Sequence, residues 1–153
     1  MYKVTTYLNE ARMPYLVKRK MRYSIDTETR YNSPGVIYNL CQQMKMTKRA
    51  TEMVLLLIFD SANHLICVCE LSTGSVNRTM MSAREVAQTM LLAGGVSCAI
   101  IHNHPSGDTE PSNIDISLTI RIRDALQLLD LKIVDHIIVG RNNYTSLAEK
   151  GIV

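Results

Sequence analysis

Residues 53–59, Met-Val-Leu-Leu-Leu-Ile-Phe, contain no polar side chain, and residues 64–71 are broken only by His64 and Glu70. A strand with one wet face alternates apolar and polar residues, so strands apolar at nearly every position are covered on both faces. Asp60 and Asn63 mark the turn between these two runs. A third apolar run, 96–101, and a fourth, 131–140, follow later, each preceded by a stretch with helical spacing. Strands alternating with helices, and buried on two faces, predict an α/β fold: a three-layer α-β-α sandwich around a mixed sheet.

The helical stretches carry their own punctuation. Ser33-Pro34 predicts a helix start, with Val36, Ile37, Leu40, Cys41 and Met44 on one face and an end near Thr47. Ser82 and Glu85 form a capping-box pattern, and Gly94-Gly95 predicts the stop of the helix that they open. Ser112 and Asp115 repeat that pattern ahead of Ile116, Leu118, Ile120 and Ile122. A short last strand is expected around Tyr144. The chain reads as an N-terminal extension over 1–32, with no pattern that fixes its packing, followed by one domain over 33–153.

Composition excludes several classes. The chain has 153 residues, 46% hydrophobic and 20% charged, which fits an ordinary globular protein with a sizeable core. No apolar run approaches the ~18–20 residues of a membrane span, and the N-terminus lacks a signal-peptide pattern. A cytoplasmic location is expected. The 17 basic and 14 acidic residues leave a charge of +3, too small to argue nucleic-acid binding. Cys41, Cys67, Cys69 and Cys98 all lie in apolar runs and read as free buried thiols; Cys67 and Cys69 are too close for a C-x-x-C pair.

The chemistry concentrates in residues 101–115. His102 and His104 stand at i and i+2 at the end of an apolar run, so an extended strand turns both imidazoles to one face. Asp115 returns after ten intervening residues, at a helix start. Two neutral imidazoles and one carboxylate suit a catalytic zinc with its fourth position open.

His-x-His, ten residues, then Asp, with Ser112 three before it and an acid well upstream, resembles the JAB/MPN metalloprotease motif. The longer wording H-N-H-P-S-G-D-x-x-P-S-x-x-D, preceded by S-x-R-E and followed by D-H-I-I-V-G, resembles the RadC branch of that family from about Thr51 to Val153. The helix-hairpin-helix segment of longer RadC-like proteins has no counterpart in the N-terminal part. The resemblance implies a cytidine deaminase-like architecture. It implies zinc on His102, His104 and Asp115, Glu70 as the acid that takes a proton from the activated water, and Ser112 as the oxyanion donor. The implied activity is hydrolysis of a peptide or isopeptide bond in a peptide or protein substrate. An extended peptide is expected in an open groove beside the His102–His104 strand, paired as an added strand. Segments 72–81 and 140–153 are short, which leaves little room for a ubiquitin-type recognition surface.

The alternative is a DNA-associated RadC-type protein that has the metal site without the peptidase role. Lys18, Lys20 and Arg22 would share a face of an extended segment, as a phosphate strip or as charged protection of an edge strand. A base deaminase needs H-x-E with P-C-x-x-C, which this chain lacks. His136 reads as support behind the ligands or as a core histidine. Asp108, Glu110, His64 and Arg84 read as solvated, although Arg84 has the chemistry to bind a substrate carboxylate.

Overall fold

The computed structural model describes residues 2–21, 28–73 and 81–153. Seven strands form one mixed sheet. In chain order they are β1 (Tyr2–Leu8), β2 (Pro14–Lys20), β3 (Met53–Phe59), β4 (Leu65–Thr73), β5 (Ser97–Asn103), β6 (Lys132–Val139) and β7 (Tyr144–Ser146). The spatial order is β2-β1-β4-β3-β5-β6-β7. The β1–β4 and β5–β6 pairs are parallel and the rest antiparallel.

Helices cover both faces, as the apolar strands require. Helix α1 (Pro34–Gln43) packs Ile37, Leu40 and Cys41 with Leu55, Leu57, Val68 and Ile101 on one face. On the other, α2 (Ala83–Ala93) and α3 (Asn113–Gln127) pack Val86, Met90, Ile122 and Leu126 with Val54, Leu56 and Ile100. All seven residues of β3 are buried, and so are all seven of β5. The α/β sandwich expected from the sequence is the one observed.

One helix boundary differs from expectation. Helix α1 ends at Gln43 rather than near Thr47, because Lys45 adopts a left-handed φ of 56° and the chain tightens into a 3₁₀ turn, Met46–Lys48. Ser82 Oγ accepts from the Glu85 backbone N–H, which is one half of the capping box expected there. Gly94 ends α2 with φ 70°, in the left-handed conformation that a glycine permits.

The N-terminal stretch is the larger surprise. Residues 2–20 form a hairpin that extends the sheet past β4, with Val4 buried on the α2 side and β2 as the outer edge. Arg22 lies outside the described residues. No described helix is long and apolar enough to cross a membrane.

Candidate metal centre

The parallel β5–α3–β6 crossover builds the site. His102 is still in β5, paired with Val54 on one side and Ile138 on the other. His104 lies just past the strand end, where its backbone N–H donates to the Val139 carbonyl and prolongs the ladder. Asn103 points to the opposite face. Its side chain accepts from the Met53 N–H and donates to the Thr51 carbonyl, which ties the strand end to the start of β3.

Asp115 enters from the first turn of α3. Both capping-box bonds are present: Ser112 Oγ accepts from the Asp115 N–H at 3.1 Å, and Asp115 Oδ2 accepts from the Ser112 N–H at 2.9 Å. The Ser112 hydroxyl also donates to Asp115 Oδ2, at 2.6 Å. The cap thus aims the carboxylate at the histidines: Oδ1 stands 3.3 Å from His102 Nδ1 and Oδ2 stands 3.9 Å from His104 Nε2. The side chains of His102, His104 and Asp115 are only 10–16% exposed. Capping and ligand geometry are therefore the same geometry.

The set fits a divalent ion. One candidate ligand atom from each of the three residues lies within 4.8 Å of the others. Donors ~2.0–2.2 Å from a tetrahedral ion stand roughly 3.3–3.6 Å apart, close to the two separations from Asp115. His104 Nδ1 is 2.8 Å from the Asp108 carbonyl, so a proton on Nδ1 leaves the Nε2 lone pair facing Asp115. His102 Nε2 is buried without a hydrogen-bond partner among the described residues, so Nδ1, beside Asp115, is the ring nitrogen with a polar neighbour. Burial opposes ionisation of Asp115, but bonds from His102 and Ser112 outweigh it and hold the carboxyl below its usual range. The trio offers two imidazoles and an ionised carboxylate.

Behind the trio sits His136, fully buried on β6 and stacked 6.3 Å from His102. Burial, then repulsion from His102, pushes its pKa down to about 3, so the ring is neutral. Its Nδ1 meets Thr119 Oγ1 at 2.6 Å, and that hydroxyl also reaches the Asp115 backbone carbonyl at 2.6 Å. A second support runs under the metal loop. Buried Thr109 accepts from Thr145 Oγ1 and Asn143 Nδ2, pinning the loop to β7. Thr109, Thr119, Asn103 and Asn143 were not singled out in the sequence, where threonines and asparagines carry no spacing signal.

Glu70 does not join this group. It pairs with Leu55, whose other neighbour is Ile101, on the face turned to α1; His102 pairs with Val54 on the opposite face. Leu71 is the extra residue of a bulge at this point. The Glu70 carboxylate instead meets Lys3 Nζ of β1. Ser112 is beside the trio, but its hydroxyl is engaged by Asp115 rather than left free.

The described residues leave no open groove of the expected kind beside the His102–His104 strand. β5 is paired along its length with β3 and β6, so no edge there accepts an added strand, and a substrate must approach over the strand ends. Glu110 pairs with Lys150, and Asp108 closes a turn onto the Glu110 N–H. His64 sits beside Asp60, Arg84 is exposed on α2, and Lys18 and Lys20 are exposed on β2. The four cysteines are free and buried, and burial raises every thiol, Cys41 and Cys67 to about 12, so none is poised to react. A cavity of about 720 Å³ at the other end of the sheet, lined by Ser97, Asp60 and Lys132, does not touch the trio.

Comparison with known proteins agrees with this architecture. The RadC-like JAB domain profile matches residues 31–152. A UPF0758 protein of Clostridium botulinum (strain Okra / Type B1) is 34% identical over 139 residues, covering 90% of this chain and 60% of the relative. A UPF0758 protein of Variovorax paradoxus (strain S110) is 36% identical over 138 residues, covering 90% and 61%. The chain thus spans about 60% of the length of these curated relatives. The matched profile begins twenty residues ahead of Thr51, taking in Tyr31 and all of α1. With the fold, the trio and four-fifths of its length in agreement, the chain belongs to the RadC-like JAB domain family.

Proposed function

We propose that this chain is a zinc-dependent hydrolase that cuts a peptide or isopeptide bond. The observation that carries the reading is the His102–His104–Asp115 trio, a compact set of two imidazoles and a carboxylate at the end of a buried strand. Three protein donors leave a tetrahedral ion one open position, the arrangement of catalytic rather than structural zinc. When bound, zinc supplies Lewis acidity and an ionisable water near neutral pH.

The chain's own residues do the rest. Ser112 stands at the exposed rim, where a substrate carbonyl oxygen arrives over the strand ends. Its hydroxyl swings from Asp115 to that oxygen and holds the developing oxyanion. The carboxylate stays aimed meanwhile, because the Ser112 backbone N–H keeps Asp115 Oδ2 at 2.9 Å. His136 and Thr119 support the ligands from behind. Proton transfer falls to Glu70, and that role requires its carboxylate to exchange Lys3 for the His102 face. The bulge at Leu71 is where a one-residue slip of β4 would turn it over.

The test is incubation of zinc-loaded protein with a peptide library, read by mass spectrometry. Cleavage that chelator abolishes and His104→Ala lacks is the expected result. Intact peptides with zinc bound would reduce the site to binding alone.

A further inference from the structure

One face of the β1–β2 hairpin is left uncovered by the described residues. Val4 and Leu16 point to the α2-side core, so their neighbours in each strand point the other way. On that other face Tyr7 lies opposite Tyr15, Thr5 opposite Val17, and Lys3 opposite Arg19. Among the described residues no helix packs on it, and Tyr7 and Tyr15 are 42% and 44% exposed. Their rings form a tilted pair with centroids 6.2 Å apart.

The charge is as uneven as the burial. Residues 2–20 hold five basic residues against one acid, Glu10, while the rest of the chain holds twelve against thirteen. The net positive charge of the protein is therefore the charge of this hairpin. Lys18, Arg19 and Lys20 are consecutive and exposed on the outer edge strand, with Arg19 on the tyrosine face and Lys18 and Lys20 on the α2 side of that edge. Arg19 lies four residues from Tyr15, about 13 Å along the strand, on the same face.

We propose that this hairpin binds single-stranded nucleic acid, with bases stacked on Tyr7 and Tyr15, a phosphate on Arg19 of the same face, and the neighbouring phosphates at the outer edge within reach of Lys18 and Lys20. Aromatic rings on a sheet face beside a cationic edge meet the two needs of an unpaired strand, since every base has a π-face and every linkage a charge. A duplex presents no free base to the tyrosines. A peptide added along β2 would have to pair against three consecutive charged residues, the usual device against such pairing. The metal centre lies on the opposite face of the sheet from Tyr7 and Tyr15, and three strands lie between β2 and β5, so binding here is independent of it.

Fluorescence anisotropy of the full chain with a labelled oligothymidylate tests it, across about 50–200 mM salt. Affinity should fall with rising salt, and changing Lys18, Arg19 and Lys20 together to Gln should flatten the slope by about 0.7 per lost phosphate contact. Tyr7→Ala and Tyr15→Ala should each weaken binding about 5- to 150-fold, whereas Tyr7→Phe and Tyr15→Phe, which keep the ring, should retain it. His104→Ala should bind as the parent does, which separates this result from any failure of the hydrolase reading. Absence of binding at the lowest salt overturns the proposal. Equal affinity for the duplex, or full affinity in the double tyrosine-to-alanine variant, overturns it as well.

Discussion

Gly140 links the sheet to the metal loop, and one methyl group tests that link. A Cβ there would stand 2.6 Å from the Gly107 carbonyl oxygen, 2.5 Å from Asn143 Oδ1 and 2.7 Å from Thr109 Cγ2. The asparagine side chain has freedom to turn aside, but the Gly107 carbonyl is backbone. It must retreat by roughly 0.5–1 Å to reach ordinary contact. Gly107 N–H donates to the His104 carbonyl at 3.0 Å, and Asp108 O holds His104 Nδ1, so the displacement reaches a ligand directly. Overpacking of this kind costs about 1–3 kcal/mol, and at ~2–4 °C per kcal/mol Gly140→Ala should lower Tm by roughly 2–12 °C. Disturbed support of a ligand should weaken metal binding about 10- to 100-fold. Gly35→Ala is the control. Its Cβ meets only the Tyr144 hydroxyl at 3.8 Å, so the helix should gain about 0.4–1 kcal/mol with metal affinity unchanged. Thermal unfolding by circular dichroism and calorimetric zinc titration read both effects. A Gly140→Ala protein with parental Tm and zinc affinity would refute the claim that close packing here positions His104.

The other predictions rest on named contacts. The folded-state pKa of His136, about 3, lies below its ordinary value of 6.5, so the stability of the neutral ring is fully present above pH 6.5 and is lost as pH falls. Chelator-treated protein should lose about 3 kcal/mol between pH 6.5 and 4, and His136→Phe should flatten that slope; urea denaturation at each pH measures it. Ser112→Ala removes both the cap and the hydroxyl that aims Asp115, and should cost about 1 kcal/mol of stability while lowering zinc affinity. Glu70→Gln should keep the metal and lose ~10²–10⁴ in hydrolysis of any peptide found to be cleaved; a parental rate would remove Glu70 from the mechanism. Thr119→Val strips the hydroxyl shared by His136 and the Asp115 carbonyl, and should destabilise the fold by about 1–3 kcal/mol.

Much of the architecture was legible because burial on two faces leaves a plain mark. The apolar run over Met53–Phe59 coincides with β3, and Gly94 ends α2 where its spacing predicts. The trio was legible for a similar reason: i, i+2 in a strand and a cap acid at a helix start are local geometries that sequence spacing encodes. What escaped depends on partners distant in the chain. Glu70 was read as an acid awaiting the site, but which face it takes is set by a bulge at Leu71 and by the arrival of Lys3 on a neighbouring strand. The hairpin over residues 2–20 lacks clean alternation because only Val4 is fully buried, so no period announced it. The groove beside β5 was expected from loop length alone, without knowledge that β6 would return to pair there. Thr109 and Thr119 matter through single hydroxyls whose partners lie far along the chain.

The central claim is that His102, His104 and Asp115 hold one divalent metal ion. Elemental analysis of protein purified without chelator and equilibrated with zinc, then freed of loose metal by gel filtration, tests it most directly. The trio predicts about one equivalent of zinc per chain, and loss of that zinc when His102 and His104 are both changed to alanine while circular dichroism shows the fold retained. Zinc retained undiminished by the folded double variant, or none retained by the parent protein, would contradict it.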